Sequence, residues 1–300
     1  MIKVAGAPVS FGVFELAPED GVDLVLPDEL CDVLHRQDYV GVDMGPIGFL
    51  GRGQKLRDRL DRHGLELAGG WIDLPFSDNV AFSEALGSLD TALDVFSEAA
   101  EASPEFLPLP TLACSGSPER RANPGGGPRY ALTASRWEAF AENVMTAADR
   151  VRARGFEPTF HHHACTYVET PEEIDELLAR TDIGLTLDTG HLILGGGEPV
   201  AGWRRWGSRV NHLHLKDARV KVLRAVIERK SDMRAVWTGK AFVPLGAGDL
   251  DVSTFMTLVA ESGYQGWLVV EQDTIPAVGD DPRQIEADHR TNREALRKWA

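Results

Sequence analysis

Short apolar runs and longer amphipathic stretches alternate along the whole chain. The apolar runs predict strands over Ile2–Ala7, Tyr39–Asp43, Leu65–Trp71, Phe106–Pro110, Glu157–His163, Gly184–Asp188, Val210–His214 and Gly266–Glu271, eight in all. Between them the spacing predicts helices over Pro27–Arg36, Gln54–His63, Asn79–Ala102, Ser135–Arg154, Pro171–Ala179, Val200–Trp206 and Ser253–Glu261, with Asp281–Trp299 closing the chain. Thr170-Pro171-Glu172-Glu173 combines an N-cap hydroxyl, a proline at the first helical position and a glutamate at the third. Asp281-Pro282 opens the last helix in the same way, and Gly64, Gly155 and Gly263 each end a helix just before a strand.

Regular strand–helix alternation argues for a parallel sheet, and eight units in 300 residues is the count of a closed (β/α)8 TIM barrel of the α/β class. A doubly wound sheet would want a glycine-rich phosphate turn after its first strand, and Gly6-Ala7-Pro8 is not one. No linker divides the chain, so residues 1–300 read as a single domain. Ser115–Gly127, rich in Pro, Gly and Ser, reads as a surface loop or lid, and Arg219–Thr238 as an insertion on the same face. These place active-face insertions near 111–134 and 217–250.

Composition narrows the partners. A hydrophobic share of 43% beside 26% charged residues is enough for a sizeable core. Thirty-one Lys and Arg against 46 Asp and Glu leave a net charge of −15, which repels nucleic acid and anionic membrane surfaces. Three cysteines, Cys31, Cys114 and Cys165, with no CxxC, speak for a reducing compartment. The N-terminal stretch has no sustained apolar core and no window approaches a spanning helix, so a soluble cytoplasmic protein is expected.

The chemistry gathers late in the chain. Six of the nine histidines, His161, His162, His163, His191, His212 and His214, fall between positions 161 and 214, at or just past predicted strand ends. In a barrel of this kind that is the face where sites form. Alternation along strand five puts His161 and His163 on one face and His162 on the other, where a packed structural role is the plainer reading. Asp188 ends an apolar strand and is costly to bury unless donors or a cation meet it; it reads either as a helix cap or as a metal carboxylate, with His191 one turn on. His214 is nearer the end of strand seven and is the better ligand, with His212 deeper as a supporting residue. Lys216 and Asp217 read as an ion pair or as substrate contacts. Glu271 follows four apolar residues and also needs compensation. An Asp, a His and a Glu converging with a fourth group from strand five compose a mixed N/O site suited to Mn²⁺, Co²⁺, Mg²⁺ or Zn²⁺.

Ala7-Pro8-Val9-Ser10-Phe11-Gly12-Val13-Phe14-Glu15, the segment from Gly41 to Phe49, His161 through Glu169, Asp188-Thr189-Gly190-His191 and His212-Leu213-His214-Leu215-Lys216-Asp217 carry a resemblance over nearly the whole chain. They resemble the xylose-isomerase-like TIM-barrel superfamily of sugar isomerases and epimerases, and within it the inosose dehydratase group of inositol catabolism. The resemblance implies a divalent metal held by Glu, Asp, His and Glu from strands five to eight. The last three fall on Asp188, His214 and Glu271. Strand five departs from the pattern, because His161 stands where many members have Glu. His161 is therefore the expected fourth ligand; a carboxylate folded back from Glu169, or a three-coordinate site, is the alternative.

The activity so implied is that of a metal-dependent lyase or isomerase working on a keto-polyol or sugar through an enediolate, foremost an inosose-dehydratase-like elimination of water. Manganese or cobalt is the expected cofactor, with magnesium or zinc as alternatives. His163, Glu169 and His191 are the acid–base candidates. Glu15, Asp43, Trp71 and Lys216 are the candidate substrate contacts, with Phe11, Phe14, Phe49 and Trp237 as further walls for a sugar ring. Keto-sugar epimerisation or isomerisation and 3-keto-glycoside cleavage share the first step and are the alternatives. A non-catalytic sugar-binding barrel is expected to have lost a strand-end ionisable group, and only strand five shows a change. The superfamily also includes apurinic endonucleases, but those need further histidines after strands two and three, where this chain has Asp43 and Trp71-Ile72-Asp73. The resemblance implies a small polyol or sugar as partner, neither nucleic acid nor membrane, and admits a homo-oligomer formed through the outer helices.

Overall fold

The computed structural model describes residues 2–14, 16, 18, 20–101, 106–281 and 283–300. Eight parallel strands close a barrel in chain order: β1 (Ile2–Gly6), β2 (Gly41–Asp43), β3 (Glu66–Leu74), β4 (Leu109–Cys114), β5 (Thr159–His161), β6 (Gly184–Asp188), β7 (Val210–Leu215) and β8 (Gly266–Val270). The barrel shuts where β8 pairs with β1 from Ile2↔Gly266 to Gly6↔Val270. Helices α1 (Pro27–Arg36), α2 (Gln54–His63), α3 (Asn79–Ala100), α4 (Ala134–Ala153), α5 (Pro171–Arg180), α6 (Pro199–Trp206), α7 (Val252–Glu261) and α8 (Arg283–Leu296) follow the strands. The single TIM barrel expected from the alternation is the fold found.

Two layers of apolar packing hold it together. Leu268 and Val270 of β8 face outward into the layer beneath the helices. Trp267 and Val269 face inward with Ala5, Ala7 and Ala68. The interior floor is one large ring among small neighbours, since a Cβ on Gly41 would run into Trp267. The barrel is thus a filled core with no pore, and inward positions near the strand ends are left to carry chemistry.

Local signals explain most boundaries. Thr170 Oγ1 accepts from Glu173 N at 3.4 Å while Glu173 Oε2 accepts from Thr170 N at 3.1 Å, closing the capping box before α5. Gly64, Gly155 and Gly263 take φ of +62°, +85° and +74°, the left-handed turn that ends a helix without a Cβ penalty. The Asp281-Pro282 start and the Ala102 end fall partly on Pro282 and Ala102, outside the described residues. β4 lies later than predicted, because its ladder with β3 runs from Gly69↔Leu109 to Leu74↔Cys114. A strand buried on both faces shows no alternation, so its partner's register decides where it sits. β5 is shorter than predicted, and His162 and His163 lie beyond its ladder.

Both insertions are built structure. The first carries a short helix, Pro118–Ala122, capped by Ser117, and a single 3-10 turn, Gly127–Tyr130. The second folds as an antiparallel ribbon of Asp217–Ala218 with Phe242–Val243 enclosing helices Val220–Glu228 and Met233–Thr238. Asp217 forms no ion pair among the described residues; its carboxylate accepts from Gly246 N, Gly248 N and Leu250 N at 2.9, 2.9 and 3.0 Å and ties the insertion down. No helix among the described residues is long and apolar enough to cross a membrane.

His289 on α8 gives the fold a pH dependence. Its ring stacks on Phe11 at 4.9 Å, its Nδ1 lies 3.0 Å from the Tyr39 hydroxyl, and burial pushes its pKa down to about 4. The unfolded chain takes up that proton near the ordinary value of 6.5, so acidification favours the unfolded state. Between 6.5 and about 4 this one ring costs about 3 kcal/mol. His289→Phe keeps the stack and leaves the Tyr39 hydroxyl unpaired at every pH. It is expected to lower the stability curve overall but flatten its acid limb, read from urea titrations at a series of pH values.

Candidate active site

The alternation that packs the barrel also aims its polar groups. On β6, Leu185 and Leu187 face the helices while Thr186 and Asp188 face inward, Thr186 Oγ1 lying 2.8 Å from Thr159 Oγ1 of β5. On β7, Leu213 and Leu215 face outward and His212 and His214 inward. Register sets Asp188 beside His214, and His214 beside Val269 of β8, two residues before Glu271. His161 closes β5.

His161, Asp188, His214 and Glu271 converge, each offering one ligand-type atom within 4.8 Å of the others, and all four are buried. His161 Nε2 lies 3.4 Å from Asp188 Oδ2, and His214 Nδ1 lies 3.9 Å from Asp188 Oδ2 and 2.9 Å from Glu271 Oε2. Asp188 is a helix cap, its Oδ1 accepting from His191 N at 2.8 Å at the start of Thr189–Leu194, while its Oδ2 turns into the cluster.

Lys216 lies against this group with 2% exposure, its Nζ 3.2 Å from Asp188 Oδ2, 3.0 Å from Glu271 Oε2 and 2.6 Å from Asp273 Oδ1. Burial alone would lower its pKa, but Asp188, Asp273 and Glu271 drive it above the ordinary value. Burial alone would raise Asp188, yet Lys216, His191 and His161 hold its carboxyl well below the usual range. Glu271 is likewise held low against burial by His214 and Lys216.

These groups fit a divalent cation. Donors bound about 2 Å from one ion stand about 3–4 Å from each other, and the contacts of 3.4, 3.9 and 2.9 Å within the quartet are close to that spacing. Asp188 Oδ2 and His214 Nε2 are buried without a directed hydrogen bond. Lys216 balances only one of the three carboxylates around it, and two nitrogens with two carboxylates form a borderline donor set.

A second cluster adjoins the first. His163, His191 and Asp273 bring their ligand-type atoms within 4.8 Å of one another, with His163 and His191 ring centroids 3.6 Å apart. Lys216 Nζ is 3.1 Å from His191 Nε2, and Trp237 Nε1 donates to Asp273 Oδ2 at 3.2 Å. Burial keeps both imidazoles well below their ordinary pKa and therefore neutral. Burial raises Asp273 to about 6 in spite of Lys216. Trp71 stands edge-on to His161 and His163 at 5.2 and 5.1 Å, and Trp237 stacks on His163 at 6.0 Å.

Of the two strand-five candidates, His161 joins the quartet and Glu169 does not. The Glu169 carboxylate is committed to Arg120 Nη1 at 3.3 Å and Cys165 N at 2.9 Å, and burial lifts it to about 7. Asp43 is buried with Oδ1 on Gly45 N at 3.2 Å, Oδ2 unpaired, and a pKa raised to about 6 by burial against the charge of His214. Glu15 lies outside the described residues. His162 turns away and accepts from Asp188 N at 3.2 Å, and His212 packs beneath His214 with its rings 5.1 Å apart. Phe11 packs on His289, and Phe14 and Phe49 pack against the core. Lys221, Arg224, Arg229 and Lys230 of the second insertion face solvent, and the insertion reaches the site through Trp237 and Phe242. Sequence reasoning gave no role to Asp273 or Arg120. Asp273 could have been found, since it shares the parity of Glu271; Arg120 carries no signal that sets it apart from Arg121.

Comparison with known proteins gives the relatives of this arrangement. A family profile described as xylose isomerase-like TIM barrel matches residues 15–299. An inosose dehydratase of Geobacillus kaustophilus is 32% identical over 284 residues, covering 92% of this chain and 89% of the relative. The rhizopine catabolism protein MocC of Rhizobium meliloti is 32% identical over 287 residues, covering 92% and 82%. The solved structure of an IOLI protein with a binding zinc atom superposes with a TM-score of 0.70 at 12% identity over 99% of both chains, a likeness of fold.

Proposed function

The chain belongs to the xylose isomerase-like TIM-barrel family, and on that premise we propose that it is a divalent-metal-dependent lyase removing water from an inosose, a ketone of a cyclic polyol. The observation that carries this reading is the buried quartet of His161, Asp188, His214 and Glu271 in a chain so similar to an inosose dehydratase. A divalent ion held there, manganese or cobalt before magnesium or zinc, would supply Lewis-acid polarisation of the substrate carbonyl. The three buried, unpaired cysteines fit a reducing cytoplasm.

The remaining chemistry falls to side chains. His163 Nδ1 lies 2.8 Å from Ala164 O; with its proton donated there, Nε2 keeps a lone pair, and a neutral ring of this kind is a base for the proton beside the carbonyl. His191 sits between His163 and Lys216, so a proton taken at His163 returns to the departing hydroxyl within one contiguous cluster. Elimination of water then needs no net proton. The Lys216 ammonium faces the oxygen that gains charge as the α-proton leaves. Asp43 Oδ2 and Glu15 are assigned to substrate hydroxyls and Trp71 to an apolar ring face. Glu169 is assigned to bracing.

The test is incubation of the metal-loaded protein with an inosose in D₂O. Loss of one water by mass spectrometry, with deuterium entering at the carbon that gave up its hydroxyl as the enol ketonises, supports the reading. Deuterium entering at the α-carbon with no loss of water and with inverted configuration assigns the same first step to an epimerase. If neither loss of water nor exchange occurs, the proposal fails. His163→Gln is expected to lose α-exchange by a factor of about 100 to 10,000 while keeping its metal.

A further inference from the structure

We propose that Arg120, from the insertion after β4, is a positioning residue for His163. The inference rests on the function just proposed, which makes His163 a base.

Arg120 is 1% exposed, and its guanidinium is the post around which the loop from His163 to Thr170 is wound. Nη1 donates to Thr166 O at 2.6 Å, to Glu169 Oε2 at 3.3 Å and to Glu173 Oε2 at 3.1 Å. Nη2 donates to Gly127 O at 3.0 Å and to Glu173 Oε1. One side chain thus satisfies two backbone carbonyls and two buried carboxylates, and its planar fork has no substitute in a lysine.

The loop it grips ends on His163. Thr166 Oγ1 and Thr166 N donate to His163 O at 2.8 and 3.2 Å, and His163 N donates to Val168 O at 3.0 Å. Cys165 holds a left-handed φ of +65° and donates its amide to Glu169 Oε1 at 2.9 Å, the carboxylate that Arg120 also binds. A non-glycine residue keeps such a conformation only where its surroundings over-determine it. His163 lies past the β5 ladder, so this bracing sets where it stands. His161 instead lies inside the ladder, paired with Ala113 and Thr186. The two histidines are therefore held by independent means: one by the sheet, the other by Arg120.

That independence makes the test decisive. Arg120→Ala and Arg120→Lys would be compared with the unaltered protein, metal-loaded, with and without millimolar guanidinium. Metal per chain is measured by mass spectrometry. The His163 ring is followed in the protein loaded with diamagnetic Zn²⁺ by long-range imidazole ¹⁵N correlation spectra, assigned by its absence in His163→Gln. Arg120→Ala is expected to keep its metal, to lose the native His163 ring signal and to drop kcat about 100-fold, as for a misplaced catalytic group, with KM nearly unchanged. Guanidinium restores signal and kcat together, and methylammonium does not. Arg120→Lys lies between. An unchanged His163 signal in Arg120→Ala overturns the proposal. So does loss of metal and fold in both variants without rescue by guanidinium, which makes Arg120 a general prop. The spectra do not depend on substrate: if inososes are not turned over, the ring signal still decides the Arg120 question.

Discussion

Glu271→Gln is expected to abolish turnover, by about 1,000-fold or more, and to strip the metal from an otherwise intact barrel. The amide matches the carboxylate in volume, so packing is kept. What is lost is a charge that the surroundings enforce: His214 Nδ1 at 2.9 Å and Lys216 Nζ at 3.0 Å keep Glu271 ionised in spite of burial. A neutral amide oxygen binds a hard or borderline cation weakly, and the excess negative charge that draws a divalent ion falls by one. Metal content, turnover of an inosose and the far-ultraviolet circular dichroism spectrum check the three parts. A variant with full metal and full activity would remove the quartet from the mechanism.

Lys216→Met should have the second largest effect, and its sign depends on the metal. In the metal-free protein Lys216 is the cation in contact with Asp188, Glu271 and Asp273. Removing it leaves buried carboxylates without their partner, a loss of about 3–5 kcal/mol. At roughly 2 °C per kcal/mol for a chain of this size, Tm falls by about 6–10 °C. Methionine fills the stem's space, so a cavity does not explain the loss. A divalent ion bound by the quartet replaces the missing charge, and the Tm difference between variant and parent narrows once Mn²⁺ is added. Calorimetry of both proteins, with chelator and with Mn²⁺, gives the four numbers needed. Equal Tm values in chelator would show that the carboxylates find compensation elsewhere. Turnover falls in either case, because the variant lacks the ammonium assigned to the developing negative oxygen.

The legible and illegible parts of the site divide along a physical line. Asp188, His214 and Glu271 were readable because each is an ionisable residue ending an apolar run, and a strand's period of two says which side they face. Asp273 follows from the same period carried past the strand. Arg120 was opaque, and Glu169, singled out for acid–base work, gave no sign of its contact with Arg120: that pairing is set by a fold-back of one loop on another across 49 positions, which neither period nor neighbours mark. The Asp217 clamp on Gly246–Leu250 is of the same kind.

By itself the sequence determined the class of barrel, the number of strands and the set of strand-end groups, since burial on alternate faces is a one-dimensional pattern. Tertiary structure alone decided where β4 begins, because a strand buried on both sides takes its ends from its neighbour. It alone chose His161 over Glu169 for the quartet, because distance in space decides which atoms share a cation. It also parted His161 and His214, which join Asp188 and Glu271, from the neutral pair His163 and His191 beside Lys216, a division made by a loop whose course only the folded chain contains.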